Sequence, residues 1–123
     1  MHLLLFDIYE GIKKTFHLFL NFQKLIIMKT FTEQEVAIFL KENLKDWTFE
    51  KNTIARDFKF KTFVEAFSFM TAIAFEAEKM NHHPDWSNSY NKVSIVLTNH
   101  EAGGVTQLDF DLAGTIDKIY SRK

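Results

Sequence analysis

The spacing of apolar residues after residue 28 changes from segment to segment, and each pattern predicts one element. Thr32 and Glu35 form a capping-box pair that begins a helix. The apolar residues of that helix recur at helical spacing: Val36, Phe39, Leu40 and Leu44. Trp47 and Phe49 then indicate a short strand, and residues 51–52 a turn. A second strand of the hairpin follows, because Ile54, Arg56, Phe58 and Phe60 alternate with Ala55, Asp57 and Lys59.

Residues 62–80 are predicted to form a long amphipathic helix. Apolar side chains recur there at steps of three and four residues: Phe63, Phe67, Met70, Ala74 and Ala77. Further apolar side chains of the same segment lie off this stripe: Phe69, Ile73 and Phe75.

The last third of the chain predicts a strand and a final helix. Val93, Ile95 and Leu97 share one face of the strand, with Ser94, Val96 and Thr98 on the other. Thr106, followed by Asp109, begins a helix that continues through Leu112, Ile116 and Ile119. With one more strand expected to pair with this one, the order helix, two strands, helix, two strands, helix predicts an α+β fold in which helices cover one face of a four-stranded antiparallel sheet.

Residues 1–27 are predicted to be an N-terminal extension to a domain that spans residues 28–123. They are rich in Leu, Ile and Phe, but five charged residues interrupt them: Asp7, Glu10, Lys13, Lys14 and Lys24. A membrane-spanning helix needs about 20 mostly apolar residues, and a secretory signal begins with positive charge, so we expect neither. Three interpretations stay open: an amphipathic helix covering an apolar patch, a surface-binding helix, and upstream sequence translated from an early start codon, with Met28 beginning the domain.

Composition limits the classes of function. The 123 residues are 46% hydrophobic and 25% charged, which is ordinary for one soluble globular domain. A net charge of −1 supplies no electrostatic footprint for nucleic acid or an anionic membrane. The absence of cysteine excludes disulfides, thiolate metal sites and a cysteine nucleophile, and it agrees with the cytoplasmic location that we expect.

The residues that carry chemistry are concentrated between Glu78 and Asp109. Three of the five histidines, the single proline and two of the four glycines fall in this window. An imidazole can donate and accept protons near neutrality, because its ordinary pKa is about 6.5. Pro84 disfavours helical backbone at His83, so the long helix is predicted to end near Asn81. His82 and His83 then point in roughly opposite directions on extended backbone, and we expect one of them to face a pocket.

Each of these residues also has a structural interpretation. Asp109 suits the first turn of the last helix as a cap, His100 alone suits the protein surface, and residues 103–104 suit a turn. Trp86 and Tyr90 suit the core or a sheet edge, or stacking on a planar ligand. Three histidines and an aspartate could form a zinc shell, but adjacent His82 and His83 diverge and no His-Glu-x-x-His helix is present. We therefore expect no metal, and we favour proton transfer because the combination is hard to explain by packing alone.

At this point the spacing resembles a known family, the pterin-4a-carbinolamine dehydratases. Glu78 precedes His82-His83-Pro84 by three spacer residues, five residues separate Pro84 from Tyr90, nine separate Tyr90 from His100, and eight separate His100 from Asp109. The similarity extends through Phe67-Ser68-Phe69-Met70-Thr71, Trp86-Ser87-Asn88 and Tyr90-Asn91-Lys92-Val93, and covers residues 30–118. Residues 1–27 have no counterpart in the family core.

The resemblance implies a hydro-lyase without metal or redox cofactor. The family removes water from 4a-hydroxytetrahydropterin and yields quinonoid dihydropterin for reuse by aromatic amino-acid hydroxylases. By position, His82 and His100 would transfer protons, His83 would bind and orient the pterin, and Asp109 would hold an imidazole in the right tautomer. The substrate-binding residues implied in the same way are Glu78, Pro84, Trp86, Tyr90 and Thr98.

The resemblance also implies partners. They are a pterin substrate, a second copy in a homodimer or homotetramer, and a functional link to an aromatic amino-acid hydroxylase. The apolar side chains off the stripe of the long helix, Phe69, Ile73 and Phe75, would suit a buried interface in that oligomer. From the net charge we expect no direct contact to nucleic acid or membrane. A second hypothesis is a dimerisation module of the transcriptional-cofactor kind, in which the pterin site is secondary. A third is activity on a related pterin, of the molybdopterin or folate-like class.

Overall fold

The computed structural model describes residues 2–122, which form four helices and one four-stranded antiparallel sheet. In chain order the elements are α1 (His2–Ile27), α2 (Glu33–Asn43), β1 (Thr48–Glu50), β2 (Thr53–Lys59), α3 (Phe63–Met80), β3 (Asp85–Ser89), β4 (Lys92–Leu97) and α4 (Gln107–Ser121). The predicted α+β class and the predicted order of elements after residue 28 are confirmed.

The sheet has the strand order β1-β2-β4-β3, so the two hairpins meet along β2 and β4. Ile54 pairs with Leu97, and Phe58 pairs with Val93. All four side chains are buried on the face that carries the helices, because paired residues of antiparallel strands point to the same face. The predicted alternation of both strands therefore places their apolar side chains in one core.

Arg56 lies on this inward face, where an unpaired charge would be unfavourable. Its guanidinium donates to Asp117 of α4 at 2.7 Å and lies over the rings of Phe58 and Tyr120, at 4.6 and 5.3 Å from their centroids. The same Asp117 oxygen accepts from the Trp47 indole at 2.9 Å. This polar cluster fastens α4 across the first hairpin.

The buried face of α3 differs from the predicted one. Phe69 and Ile73, which we expected to suit an oligomer interface, lie in the core with Ala66 and Ala77, whereas Phe63 and Phe67 are exposed. The prediction failed because apolar residues surround most of this helix, so two different stripes satisfy helical spacing. Only packing against β4 and α4 selects between them.

The helix ends agree with the predicted signals. Thr32 caps α2, where its hydroxyl accepts the N–H of Glu35 and the Glu35 carboxylate accepts the N–H of Thr32 at 2.8 Å. The C-terminal end of α3 is Asn81, which adopts a left-handed backbone (φ 48°, ψ 41°). Asn and Gly tolerate this conformation better than other residues, so the helix stops immediately before the two histidines.

Helix α1 contributes no buried residue to the structure. At its C-terminal end Lys24 approaches Glu101 at 3.8 Å, and just beyond the helix the Asn99 amide reaches the Met28 sulfur at 3.8 Å. Most of α1, about 40 Å long at 1.5 Å per residue, therefore projects from the domain. No helix within residues 2–122 is both long and apolar enough to cross a membrane.

Candidate active site

The end of α3 sets the directions of the two adjacent histidines. The backbone N–H of His82 still donates to Ala77 at 3.0 Å, one turn back in the helix, and the left-handed Asn81 turns the chain towards β3. His82 is buried, with 7% of its surface exposed, whereas His83 is exposed. The prediction that one of the two histidines faces inwards is confirmed, and the inward one is His82.

His82 is held by Asp109 of α4. Nε2 of His82 and Oδ1 of Asp109 are 2.6 Å apart, and Asp109 is fully buried. The second carboxylate oxygen, Oδ2, accepts the backbone N–H of Thr106 at 2.7 Å. Asp109 therefore caps α4 and orients His82 at the same time, so the two interpretations of this residue were not alternatives.

The other ring nitrogen of His82 is available for chemistry. A carboxylate accepts the Nε2–H proton, which leaves the lone pair of the neutral ring on Nδ1. Nδ1 makes no hydrogen bond to any residue of the described chain. Every fully buried side-chain nitrogen or oxygen in that stretch has a hydrogen-bond partner, so Nδ1 is not fully buried. Nδ1 is therefore accessible, and His82 lines the cleft beside it.

That cleft has a volume of about 680 Å³ and is bounded by two parts of the chain. His82, Asn81 and Asn99 lie on the domain side, and Phe19 and Gln23 of α1 lie on the other. The C-terminal turns of α1 thus form a wall facing the buried histidine.

His83 and Glu78 form a second histidine–carboxylate pair. Nε2 of His83 lies 2.9 Å from Oε2 of Glu78, and both side chains are largely exposed. Glu78 is in the last turn of α3, so the helix end supplies this carboxylate as well. Glu78, which the resemblance places among the substrate-binding residues, is thus a direct partner of His83.

His100 is paired with a carboxylate that the sequence analysis missed. Its Nε2 lies 2.7 Å from Oδ2 of Asp85, the first residue of β3. Asp85 pairs with Val96 in the sheet, so the start of β3 lies beside the end of β4, where the chain leads to His100. The sequence signal that could have identified Asp85 is an acidic residue directly after His-His-Pro, at the start of a strand.

The loop that carries His100 is held by Asn99. Its backbone carbonyl accepts the N–H of Gly103 at 2.8 Å, and its side-chain oxygen accepts the N–H of Ala102 at 3.0 Å. Gly103 has φ of 81°, a conformation that other L-residues rarely adopt. The predicted glycine turn thus places His100 at the same end of the sheet as His82 and His83.

The three histidines share one arrangement. Each engages a carboxylate through Nε2: His82 with Asp109, His83 with Glu78, and His100 with Asp85. Each Nδ1 is consequently the nitrogen left for a ligand. One buried and two exposed imidazoles therefore lie at the same end of the sheet, each held by a carboxylate. No group of three or more metal-binding side chains suited to an ion occurs in residues 2–122.

Tyr90 does not join this site. It occupies the turn between β3 and β4 with φ of 51° and is 66% exposed. That turn is at the opposite end of β3 from Asp85, about 16 Å away at 3.3 Å per residue. The structure therefore separates Tyr90 from the histidines with which the spacing grouped it.

The remaining predicted binding residues lie near the site without a direct bond to the histidines. Pro84 connects His83 to β3 and is half-buried. Trp86 is half-buried against the core and pairs with Ile95. The Thr98 hydroxyl donates to the carbonyl of Asn52 at 2.9 Å, so it ties β4 to the first hairpin.

Known proteins are similar to this chain in sequence, and solved structures are similar to it in fold. The model of the family described as pterin 4 alpha carbinolamine dehydratase matches residues 29–119. A curated protein of that name from Prochlorococcus marinus is 49% identical over 87 residues, which are 71% of this chain and 90% of that protein. One from Christiangramia forsetii is 45% identical over 93 residues, covering 76% and 95% of the two chains.

Two solved structures are also similar to this chain. The crystal structure of a transcriptional coactivator/pterin dehydratase from Brucella melitensis is 40% identical, with a TM-score of 0.72, and covers 75% of this chain and 99% of that one. A pterin dehydratase-like RuBisCO assembly factor of the alpha-carboxysome, at 19% identity and a TM-score of 0.50, shares the fold. From the family match and the relatives together, the chain belongs to the pterin-4a-carbinolamine dehydratase family of carbon–oxygen lyases.

Proposed function

We propose that this protein dehydrates 4a-hydroxytetrahydropterin to quinonoid dihydropterin, in the recycling of tetrahydrobiopterin, by histidine general acid–base catalysis. The observation that carries the proposal is the set of three imidazoles at one end of the sheet, each bound to a carboxylate through Nε2. Membership of the dehydratase family supplies the substrate class.

The reaction needs two proton transfers and no electron transfer. The C4a–O bond breaks as the leaving hydroxyl gains a proton, a ring nitrogen loses a proton, and a carbon–nitrogen double bond forms as water departs. One group must donate and another accept near neutral pH, which suits imidazole. Positioned acids and bases contribute about 10²- to 10⁴-fold each to such reactions.

His82 and His100 are the proposed proton-transfer groups. Asp109 fixes the tautomer of His82 in a buried setting, and Asp85 does the same for His100 at the surface. A carboxylate that accepts Nε2–H stabilises the ring when Nδ1 takes up a second proton. His83, exposed and bound to Glu78, is proposed to bind and orient the pterin.

The decisive test is a dehydration assay with 4a-hydroxytetrahydropterin generated in situ by a phenylalanine hydroxylase. The wild-type protein should accelerate dehydration above the uncatalysed rate. His82→Ala should lose most of that acceleration, about 10²-fold or more. His17→Ala, which removes an exposed imidazole in α1, is the matched control and should retain full activity.

Two results would overturn this proposal. A folded wild-type protein that gives no acceleration would overturn the enzyme assignment for this chain. It would favour the second candidate, a binding module, which the name of the Brucella melitensis relative as a transcriptional coactivator brings forward. Unchanged turnover in both His82→Ala and His100→Ala would overturn the assigned roles while leaving the activity.

We also propose that the protein is a homodimer or homotetramer. The support is the outward face of α3, where Phe63, Val64, Phe67 and Phe75 are exposed. Large exposed apolar surfaces on folded domains mark interfaces. Light scattering at micromolar concentration should give a multiple of 14.5 kDa, and Phe67→Asp should lower it. A monomer mass for the wild type would contradict this proposal.

A further inference from the structure

Helix α1 carries an apolar groove that nothing in the described chain covers. The groove has a volume of about 650 Å³ and is lined by Ile8, Gly11, Ile12, Thr15, Phe16 and Phe19. These residues follow one another at alternating steps of three and one, so they share one side of the helix. A Cβ atom at Gly11 would meet nothing within 4 Å.

The charges around the groove have a distinctive order. Asp7 precedes Gly11 by four residues and Lys14 follows it by three, so both lie beside Gly11 on the same flank of the helix. Neither Asp7 nor Lys14 makes an ion pair with another side chain in the part of the chain that the structure describes. The flank therefore has a free negative charge on one side of Gly11 and a free positive charge on the other.

We propose that the α1 helices of two copies of this chain pair in antiparallel orientation through this groove, with Gly11 at the crossing point. In that register Asp7 of each copy lies within one residue of Lys14 of the second copy, which gives two reciprocal ion pairs. Ile8 of each copy lies within one residue of Thr15 of the second. Gly11 has no side chain, so the two backbones can approach closely.

Parallel pairing of the two α1 helices is less favourable than antiparallel pairing for two reasons, which are the charges that meet and the placement of the two domains. It would place Asp7 against Asp7 and Lys14 against Lys14, and like charges at such positions are destabilising. It would also place both domains at the same end. In the antiparallel pair each domain, joined to α1 after Ile27, lies beyond the overlap at opposite ends.

Disulfide cross-linking of the full chain tests this arrangement, because the chain contains no cysteine of its own. An Ile8→Cys protein is mixed with a Thr15→Cys protein, and oxidised glutathione is added so that disulfides can form. A mixed disulfide dimer should form, at least about fivefold more than either single variant forms alone, since equivalent Ile8 positions lie about 9 Å apart along the axis.

The matched control uses the opposite side of the same helix. Phe6 lies five residues before Gly11 and His17 lies six residues after it, so each is two residues farther from Gly11 than Ile8 or Thr15 is. Neither Phe6 nor His17 lines the groove. A mixture of Phe6→Cys and His17→Cys proteins should therefore give no more cross-link than random collision. Equal yields from the two mixtures would overturn the proposed face.

Charge reversal gives an independent readout in the same assay. Asp7→Lys added to both cysteine proteins should lower the yield of mixed disulfide about threefold or more, and so should Lys14→Asp added to both. Adding Asp7→Lys to one partner and Lys14→Asp to the other places opposite charges together again, so the yield should recover.

Three further results would overturn the proposal. The first is efficient cross-linking of Ile8→Cys alone, which indicates parallel pairing. The second is no mixed disulfide from folded protein. The third is the absence of recovery in the charge-reversed mixture. If no disulfide forms and the protein cosediments with phosphatidylglycerol vesicles, α1 binds lipid instead of a second copy. Because dehydratase activity is assayed separately, failure here leaves the proposed function untouched.

Discussion

His82 of the α3–β3 connection and Asp109 of α4 are 27 residues apart in sequence and 2.6 Å apart through Nε2 and Oδ1. The second oxygen of the same carboxylate caps the N-terminus of α4 by accepting the Thr106 N–H at 2.7 Å. One buried side chain thus couples the start of a helix to the orientation of an imidazole. A rigid helix end can hold a side chain in place more closely than an exposed loop.

Asp109→Asn should therefore impair both activity and stability. The amide keeps the size of the carboxylate but can present N–H to Nε2, which favours the wrong tautomer of His82. We expect turnover to fall about 10²-fold or more, and the free energy of unfolding to fall by about 1–3 kcal/mol because a buried acceptor is weakened. Dehydration kinetics and urea unfolding of the same preparation measure the two effects.

Asp111→Asn is the control for that substitution. Asp111 is in the same helix but exposed, where its carboxylate accepts from the Gln107 side chain at 2.9 Å. It should retain wild-type turnover. If Asp109→Asn is folded and fully active, Asp109 is a structural cap alone.

The left-handed Asn81 offers a test of how the site is positioned. Asn81→Ala should lower the free energy of unfolding by about 1 kcal/mol, because alanine lacks the short polar side chain that lets asparagine adopt a left-handed backbone with φ of 48° at low cost. Asn81→Gly should be close to wild type, since glycine adopts this conformation freely. Thermal unfolding of the three proteins measures the difference. Equal stability of the alanine and glycine variants would show that the conformation does not matter.

The two faces of α3 predict opposite responses to the same substitution. Phe69 is 5% exposed and contacts the rings of Phe58 and Phe60, whereas Phe67 is 57% exposed. Phe69→Ala should lower the free energy of unfolding by about 3–5 kcal/mol through loss of packing. Phe67→Ala should change it by less than about 0.5 kcal/mol in the monomer. Denaturant unfolding at low protein concentration compares them, and similar losses would contradict the assigned faces.

Glu35 predicts part of the pH dependence of stability. The hydrogen bond from the Thr32 backbone lowers the pKa of Glu35 below its ordinary value of 4.5. In acid the unfolded chain therefore takes up this proton before the folded chain does. The stabilisation is complete above pH 4.5 and is lost as pH falls through the lower, folded-state pKa.

The measurement is urea unfolding of wild type and Glu35→Gln at pH 7, 5 and 3. Wild type should be the more stable at pH 7, and the gap between the two proteins should narrow at pH 3. Glu33→Gln removes a charge from the same turn without the Thr32 bond, so its gap should change less. A constant gap for Glu35→Gln across the three pH values would contradict the assigned role of this bond.

Much of the fold could be predicted from local patterns. The capping pair at Thr32, the alternation of Ile54 and Phe58, and the stop before Pro84 each act over a few residues, and the structure confirms the elements that they predict. The same local logic predicted that His82 and His83 diverge, because adjacent side chains on extended backbone point apart.

The sequence did not show how distant segments of the chain come together. Asp85 was missed because its contact with His100 depends on the pairing of β3 with β4. Tyr90 was grouped with the histidines by spacing, yet the same pairing carries it to the other end of the strand. On α3, spacing alone could not tell Phe69 from Phe67.

The sequence by itself determined the order of the elements after residue 28 and the residue types available for chemistry, because hydrophobic periodicity, helix caps and residue type are properties of short stretches of chain. The tertiary structure alone decided which carboxylate holds which imidazole, which face of α3 is buried and which nitrogen of His82 is left without a partner. Those outcomes depend on how helices pack on the sheet and on strand register, which bring together groups that are far apart in the chain.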